Sequence, residues 1–424
     1  MLYIMEEKLR KLLFLLAALF CFCGCNAEVP AYEAESESVS DETQPGSAAV
    51  YGKEDRELLS AWQEIEPAGE HDVEILYLAA GKADSILLLI DGTVTLIDTG
   101  VSASPAKLIP AMRQLGAEKI DHLFLTHTHN DHIGGYDYLS QVYEIGKVHT
   151  SSISMNMGLL DNLTSGKTHL HHDPGDVISL TDGVWLEVLG PIEYNSADDN
   201  DNSLVLRLEV NNTVTVFAAD MKYTEETSLM NHGMIGDCDI LKVGHHGYND
   251  TASSDFLAMA QPEYAVISTD RDVEKDSAHE NVIARLENAG AEVFVTDEYG
   301  LGLLCEIAPD GGITWTELKQ EGETVKVKID SVSKTDQVLT LKNKSGRDVD
   351  LSGWLIYSDR GHEYFVFPEG AVIASGAAVT VACRDYDGAA DYEWSVSGAW
   401  HESKKDKAYL YDSFGNLVDD KKSE

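Results

Sequence analysis

Thr126-His127-Thr128-His129-Asn130-Asp131-His132-Ile133-Gly134-Gly135 places four potential metal ligands, His127, His129, Asp131 and His132, within six consecutive residues. The apolar run Ile120-Asp121-His122-Leu123-Phe124-Leu125 precedes it and reads as a buried strand bounded by a turn. The ligands therefore arrive at a strand's carboxyl end, where α/β sheets put their chemistry. Imidazole and carboxylate are the donors zinc prefers. In an H-x-H-x-D-H loop alternate side chains face one point while the next pair turns toward a second, so two metal positions can grow from one loop.

The chain around this loop has 424 residues, room for a large domain and a smaller one, and a formal net charge of −42. Such an excess of acid repels polyanions at long range and argues against a passive nucleic-acid-binding surface, while leaving room for a small metal-neutralised site. Residues 1–24 read as an export signal. Lys8, Arg10 and Lys11 form its basic region, and Leu12 to Phe22 an apolar core too short to span a bilayer comfortably. Residues 25–70 are acidic and poor in large apolar side chains, as expected of a disordered tether, with Leu58, Leu59 and Trp62 hinting at one short helix. Cys238, Cys305 and Cys383 are scattered in apolar contexts and read as buried thiols rather than a disulfide scaffold.

From 71 to 320 the pattern is that of an α/β domain. Val73 to Leu78, Ser85 to Ile90 and Thr93 to Ile97 are expected strands of β-hairpins. Pro105 to Leu115 reads as a helix with Pro105 in its first turn and Gly116 as its stop. Further strands are expected over 177–180, 185–189, 204–210, 214–218, 239–243 and 264–268, with helices over 254–260 and 281–289. The runs 293–296, 302–307 and 313–317 are expected to close a second sheet. Asn156 to Asp173, with His169, His171 and His172, reads as a surface loop; lining the substrate cleft or supplying a ligand are the alternatives.

The H-x-H-x-D-H run resembles the signature of the metallo-β-lactamase superfamily, which implies an αββα sandwich and a metal-dependent hydrolase. Leu96-Ile97-Asp98-Thr99-Gly100 resembles that superfamily's first motif, and Asp98 is placed to orient the metal loop from the second shell. Ala219-Asp220 stands at the superfamily position for a carboxylate bridging two metals. Ala80-Gly81-Lys82-Ala83-Asp84-Ser85-Ile86-Leu87 and Leu241-Lys242-Val243-Gly244-His245-His246-Gly247 are similar to segments of the ComEC-like branch, the DNA-uptake competence family. Lys82 and Ala83 depart from the first pattern and Tyr248 from the second. The resemblance makes His245 the last metal ligand and His246 an outer-shell or substrate contact, with the reverse order as the alternative.

Where many superfamily members place a histidine, this chain has Asp198-Asp199-Asn200-Asp201-Asn202-Ser203, with Asp199 a second-shell or substrate candidate. One metal is thereby left with a protein oxygen or an extra water in that position. His279 corresponds to a histidine at a helix start in ComEC-like members, where it could meet a phosphate oxygen and assist the leaving group, or serve only as a helix terminus.

Residues 321–424 change texture to short alternating strands with Gly, Asp and Asn turns, a β-sandwich pattern. Lys342-Asn343-Lys344-Ser345-Gly346, Asp350-Leu351-Ser352-Gly353-Trp354, Phe367-Pro368-Glu369-Gly370 and Trp400 resemble the lamin-tail domain. His362 and His401 read as isolated, Trp354 as core, and the module's partner is unknown. Phe22-Cys23-Gly24-Cys25 resembles a bacterial lipobox, implying an exported protein anchored to the membrane by lipid on Cys25 and facing outside.

Together these resemblances imply two divalent ions, zinc or manganese, held by His127, His129, Asp131, His132, Asp220 and His245. Asp131 would also hold or deprotonate the attacking water. The implied activity is that of a surface phosphodiesterase or nuclease acting on nucleic acid, nucleotide or phosphorylated envelope polymer. A lactonase or β-lactamase type of hydrolase and a non-catalytic surface binding protein are the alternatives.

Overall fold

The computed structural model describes residues 69–424 apart from Asp385. The export signal, Cys25, the acidic arm through residue 68 and the short helix expected near Trp62 lie outside the described residues. Among the described residues no helix is long and apolar enough to cross a membrane.

The first sheet draws on β1 (Val73–Leu78), β2 (Ile86–Ile90), β3 (Thr93–Ile97), β4 (Ile120–Leu125), β5 (Ile145–Ser151) and β6 (Thr168–His172). The second is built from β7 (Val177–Thr181), β8 (Val184–Gly190), β9 (Val205–Val210), β10 (Thr213–Phe217), β11 (Ile240–Lys242), β12 (Tyr264–Ile267) and β13 (Glu292–Val295), adjacent in the reverse order. β14 (Gly302–Ile307) and β15 (Ile313–Leu318) return to the first sheet, beside β1. That corrects the expectation that they close the second sheet. β14 covers the edge that β1 would otherwise leave open, pairing antiparallel from Val73 opposite Ile307 through Leu78 opposite Gly302.

Apolar side chains face inward from both sheets, among them Tyr77, Phe124, Leu186, Leu206 and Phe217. The outer face of the first sheet is covered through Leu108, Met112, Leu139 and Leu160, on the helices Pro105–Gln114, Tyr136–Val142 and Met157–Leu163. Leu229, Phe256 and Leu286, on the helices Tyr223–His232, Ser254–Ala260 and Glu280–Ala289, cover the second. The result is the four-layer αββα sandwich.

β5 and β6 were not foreseen as strands. β6 reads Thr-His-Leu-His-His, with no apolar alternation to betray it, and forms only as an added edge on β5. Its inward His172 ends a ladder of buried imidazoles. His122 Nδ1 lies 3.0 Å from His149 Nε2, His149 Nδ1 lies 2.9 Å from His172 Nε2, and His172 Nδ1 lies 3.1 Å from Asp176 Oδ2. Phe124 stacks on His149 at 4.4 Å.

The C-terminal domain is a sandwich of two four-stranded sheets and one two-stranded pair around Leu341, Trp354, Phe367, Trp394 and Trp400. It packs on the loop after β3 and on the helices Pro105–Gln114 and Tyr136–Val142. Tyr364 stacks on Tyr138 at 4.1 Å, and its hydroxyl donates to the Ser102 carbonyl. The Ser102 hydroxyl meets Tyr357 Oη at 2.7 Å and His362 Nδ1 at 2.9 Å, so His362 is a docking residue rather than an isolated one.

Candidate metal centre

β3 and β4 run parallel and end together, which brings Asp98 under the start of the metal loop. Asp98 accepts Thr126 N–H at 2.8 Å, the Thr126 hydroxyl at 2.7 Å and His132 Nδ1 at 2.7 Å. The last bond holds Nδ1–H of His132 and turns Nε2 the other way, toward Asp220 Oδ1 at 3.2 Å. Asp98 thus ties the start of the metal loop to His132.

Asp220, at the end of β10, is buried and central. Its Oδ1 also meets His246 Nε2 at 3.3 Å, and its Oδ2 lies 3.9 Å from His127 Nε2. Asp131 Oδ2 is 3.5 Å from His246 Nε2. Two groups of donors result, each with its ligand atoms within 4.8 Å of one another: Asp131, His132, Asp220 and His246, and His127, His129 and Asp220. Asp220 belongs to both.

The expected order of the double histidine is reversed. His246 enters the donor group, its Nδ1 held at 2.9 Å by the Ser268 carbonyl so that Nε2 faces Asp220. His245 points away to Asp250 Oδ1 at 2.8 Å and Asn200 Nδ2 at 3.1 Å. The cause is backbone geometry: both histidines adopt left-handed conformations, with φ of 42° and 52°, within a tight turn. A left-handed residue with a side chain costs about 1–2 kcal/mol, so surrounding contacts must hold this turn. Gly244 allows it, because a Cβ there would sit 2.4 Å from the Met221 carbonyl. Buried Lys242 braces it from below, donating to Asp84 and, at 2.9 Å, to the Ala219 carbonyl beside Asp220.

His279 belongs to neither donor group; as N-cap of the Glu280–Ala289 helix its Nδ1 accepts Asn281 N–H at 3.1 Å. Asp199 likewise lies outside the donor groups and staples loops together, accepting Met155 N–H at 2.8 Å and Thr128 N–H at 3.2 Å. Lys82, passed over as a departure from the family pattern, hydrogen-bonds Asp131, and its ammonium lies 5.8 Å from the Tyr248 ring centre. Its sequence signal was present, since it sits two residues before Asp84 in a strand-linking loop.

Electrostatics separates the histidines. Burial alone would lower His132, yet the Asp220 and Asp98 carboxylates hold it well above its ordinary range. His246 is raised in the same way against burial, chiefly by Asp220. His127 is driven well below by burial and by neighbouring His132. Burial would raise Asp220, but His132 and His246 hold it far down.

The donor set passes a direct test for cation binding. His127 Nε2, His132 Nε2, His246 Nε2 and Asp220 Oδ1 are all buried and none makes a hydrogen bond, although each belongs to the donor groups around Asp220. Buried polar atoms are almost always bonded, and three such imidazole nitrogens around one such carboxylate oxygen are what a coordinating cation would satisfy. Beside the metal loop a cleft of about 670 Å³ is lined by Thr128, Asn130, Gly134 and Tyr138 and, from the C-terminal domain, by His362 and Tyr364.

Comparison with known proteins agrees with this geometry. Residues 79–270 match the metallo-β-lactamase superfamily and residues 320–422 the lamin tail domain. Competence protein ComA of Neisseria gonorrhoeae is 29% identical over 256 residues, covering 58% of this chain and 35% of that protein. ComE operon protein 3 of Bacillus subtilis is 28% identical over 198 residues, covering 46% of this chain and 25% of that protein. The chain therefore spans only about a quarter to a third of these relatives. The metallo-β-lactamase fold protein YhfI of Bacillus subtilis superposes with a TM-score of 0.39 at 12% identity, over 55% of this chain and 99% of that one.

Proposed function

From a chain that joins a metallo-β-lactamase superfamily domain related to competence proteins to a lamin tail domain, we propose a surface-anchored phosphodiesterase or nuclease dependent on two divalent ions, zinc or manganese. The observation that carries this reading is the set of buried, unpartnered donors around Asp220. His127, His129 and Asp220 would hold one ion, and Asp131, His132, Asp220 and His246 the other. Bound ions of this kind lower the pKa of water and neutralise charge on the attacked group.

The chain's own residues do the rest. Asp98 and the Ser268 carbonyl hold the Nδ1–H of His132 and His246, so that the proton each ring would give up on binding an ion is the one on Nε2. Asp131 stands between His246 and Lys82, which with His132 hold its carboxylate far below its ordinary pKa against burial, so it would orient an attacking water as a hydrogen-bond acceptor. Lys82 supplies a cation at the mouth of the site, which favours an anionic substrate over a neutral lactam or lactone. That charge is local in a chain of net charge −42, which favours nucleotides, single-stranded ends or short phosphodiesters over long duplex DNA.

Full-length protein loaded with zinc or manganese should turn over bis-p-nitrophenyl phosphate, and His129→Ala should abolish that activity. Hydrolysis of nitrocefin but not of the diester would sink the proposal, as would absence of any bound divalent metal. Anchoring at Cys25 is a separate expectation: palmitate labelling in a bacterial host should disappear in Cys25→Ser, and unchanged labelling would refute it.

A further inference from the structure

We propose that Asp161, His169 and His171 form a second, peripheral binding site for a first-row divalent cation such as zinc, separate from the groups around Asp220. His169 and His171 stand two residues apart on β6 and so share a face, the one opposite to the buried His172. The Met157–Leu163 helix brings Asp161 over that face. A single carboxylate oxygen, Asp161 Oδ1, lies 3.8 Å from His169 Nδ1 and 3.7 Å from His171 Nε2. Donors around a tetrahedral zinc are about 3.4 Å apart, within a few tenths of an ångström of both carboxylate–imidazole distances, and all three ligand atoms lie within 4.8 Å of one another.

The second observation is what lies behind the two rings. Thr150 Oγ1 is 2.9 Å from His169 Nε2 and 3.1 Å from His171 Nδ1, in each case the nitrogen that does not face Asp161. Histidines that bind metal donate their other N–H to an oxygen acceptor, which fixes tautomer and ring orientation. Here one hydroxyl, on the neighbouring strand and directly opposite His171 in register, serves both rings.

Proton positions give the site a signature. Thr164 Oγ1 donates to the Leu160 carbonyl at 2.8 Å, so its 2.9 Å contact with His169 Nδ1 requires the proton to be on Nδ1. Coordination through Nδ1 needs that proton gone and Nε2–H donating to Thr150, a tautomer exchange with no net change of charge. Burial, and after it His171, lower the His169 pKa, which keeps the ring neutral as a ligand must be. The site shares no residue with the donors around Asp220 and does not depend on the phosphodiesterase reading.

The test is zinc content per full-length chain at fixed free Zn(II), in an Asp220→Asn background that disables the central groups. One zinc should remain in Asp220→Asn and be lost on adding His171→Ala or Asp161→Asn. Equal zinc content in all three proteins would overturn the proposal. In otherwise unaltered protein, nitrogen NMR should show His169 passing from the Nδ1–H to the Nε2–H tautomer as Zn(II) is added. Thr150→Ala should weaken that zinc by about 10–100-fold. A His169 tautomer indifferent to Zn(II) would refute the site even if a variant failed to fold.

Discussion

Two histidine-rich regions, one on β4 to β6 and one in the loops beyond the strand ends, behave in opposite ways. At the carboxyl end of β4, His132 is set between the Asp98 and Asp220 carboxylates, which hold it well above its ordinary pKa. Earlier on β4, His122 opens a ladder in which His149 has imidazoles on both sides, and burial, His172 and His122 together push His149 down to about 3. Nothing in the residue type separates them. A buried imidazole set between carboxylates favours its charged form, whereas one set between imidazoles is neutral and resists protonation.

The contrast can be broken most severely at Asp220. Asp220→Asn removes the carboxylate common to both donor groups, and diester turnover should fall by at least 10²–10³-fold, on the order of losing one preorganised electrostatic partner, with loss of bound metal. Retention of both would show that Asp220 is not the shared ligand. Asp98→Asn acts one shell out. It frees the His132 tautomer and should weaken metal affinity by about 10–100-fold, read by metal titration, while the fold persists.

The ladder should respond to acid instead. The folded His149 pKa of about 3 lies below the unfolded value near 6.5, so the unfolded chain takes up the proton first and stability falls as pH drops below 6.5. At pH 5.5 the loss relative to pH 7 should be about 1–1.5 kcal/mol by urea unfolding in EDTA. His149→Phe should flatten that dependence, whatever it does to stability at pH 7. An unchanged slope would mean that the ladder is not the acid-labile element. The smallest effect is expected at His245. His245→Ala should alter turnover by only about twofold, within roughly 0.5 kcal/mol, while His246→Ala should behave like Asp220→Asn. The reverse result would overturn the placement of the pair.

The motifs and the domain order could be read along the chain because they are local. Ligand spacing after an apolar strand, Asp98 and Asp220 at strand ends, and the turn-rich alternation from residue 321 onward are patterns over ten residues or fewer. β6 was illegible because its polar side chains meet partners contributed from β5 and from the Met157–Leu163 helix. β14 and β15 were assigned to the wrong sheet because a strand's own pattern does not say which open edge it will find. The role of His362 was hidden for the same reason, its partner Ser102 being 260 residues away.

By itself, then, the sequence determined which residue types reach the centre and in what order, since hydrophobic period and ligand spacing are properties of neighbouring residues. Only the tertiary structure decided that His246 and not His245 turns inward, that Lys82 joins Asp131, and that the C-terminal domain helps wall the cleft. Those outcomes depend on left-handed backbone angles and on charges brought together from distant strands, and both acquire their energies only once the two sheets have closed on each other.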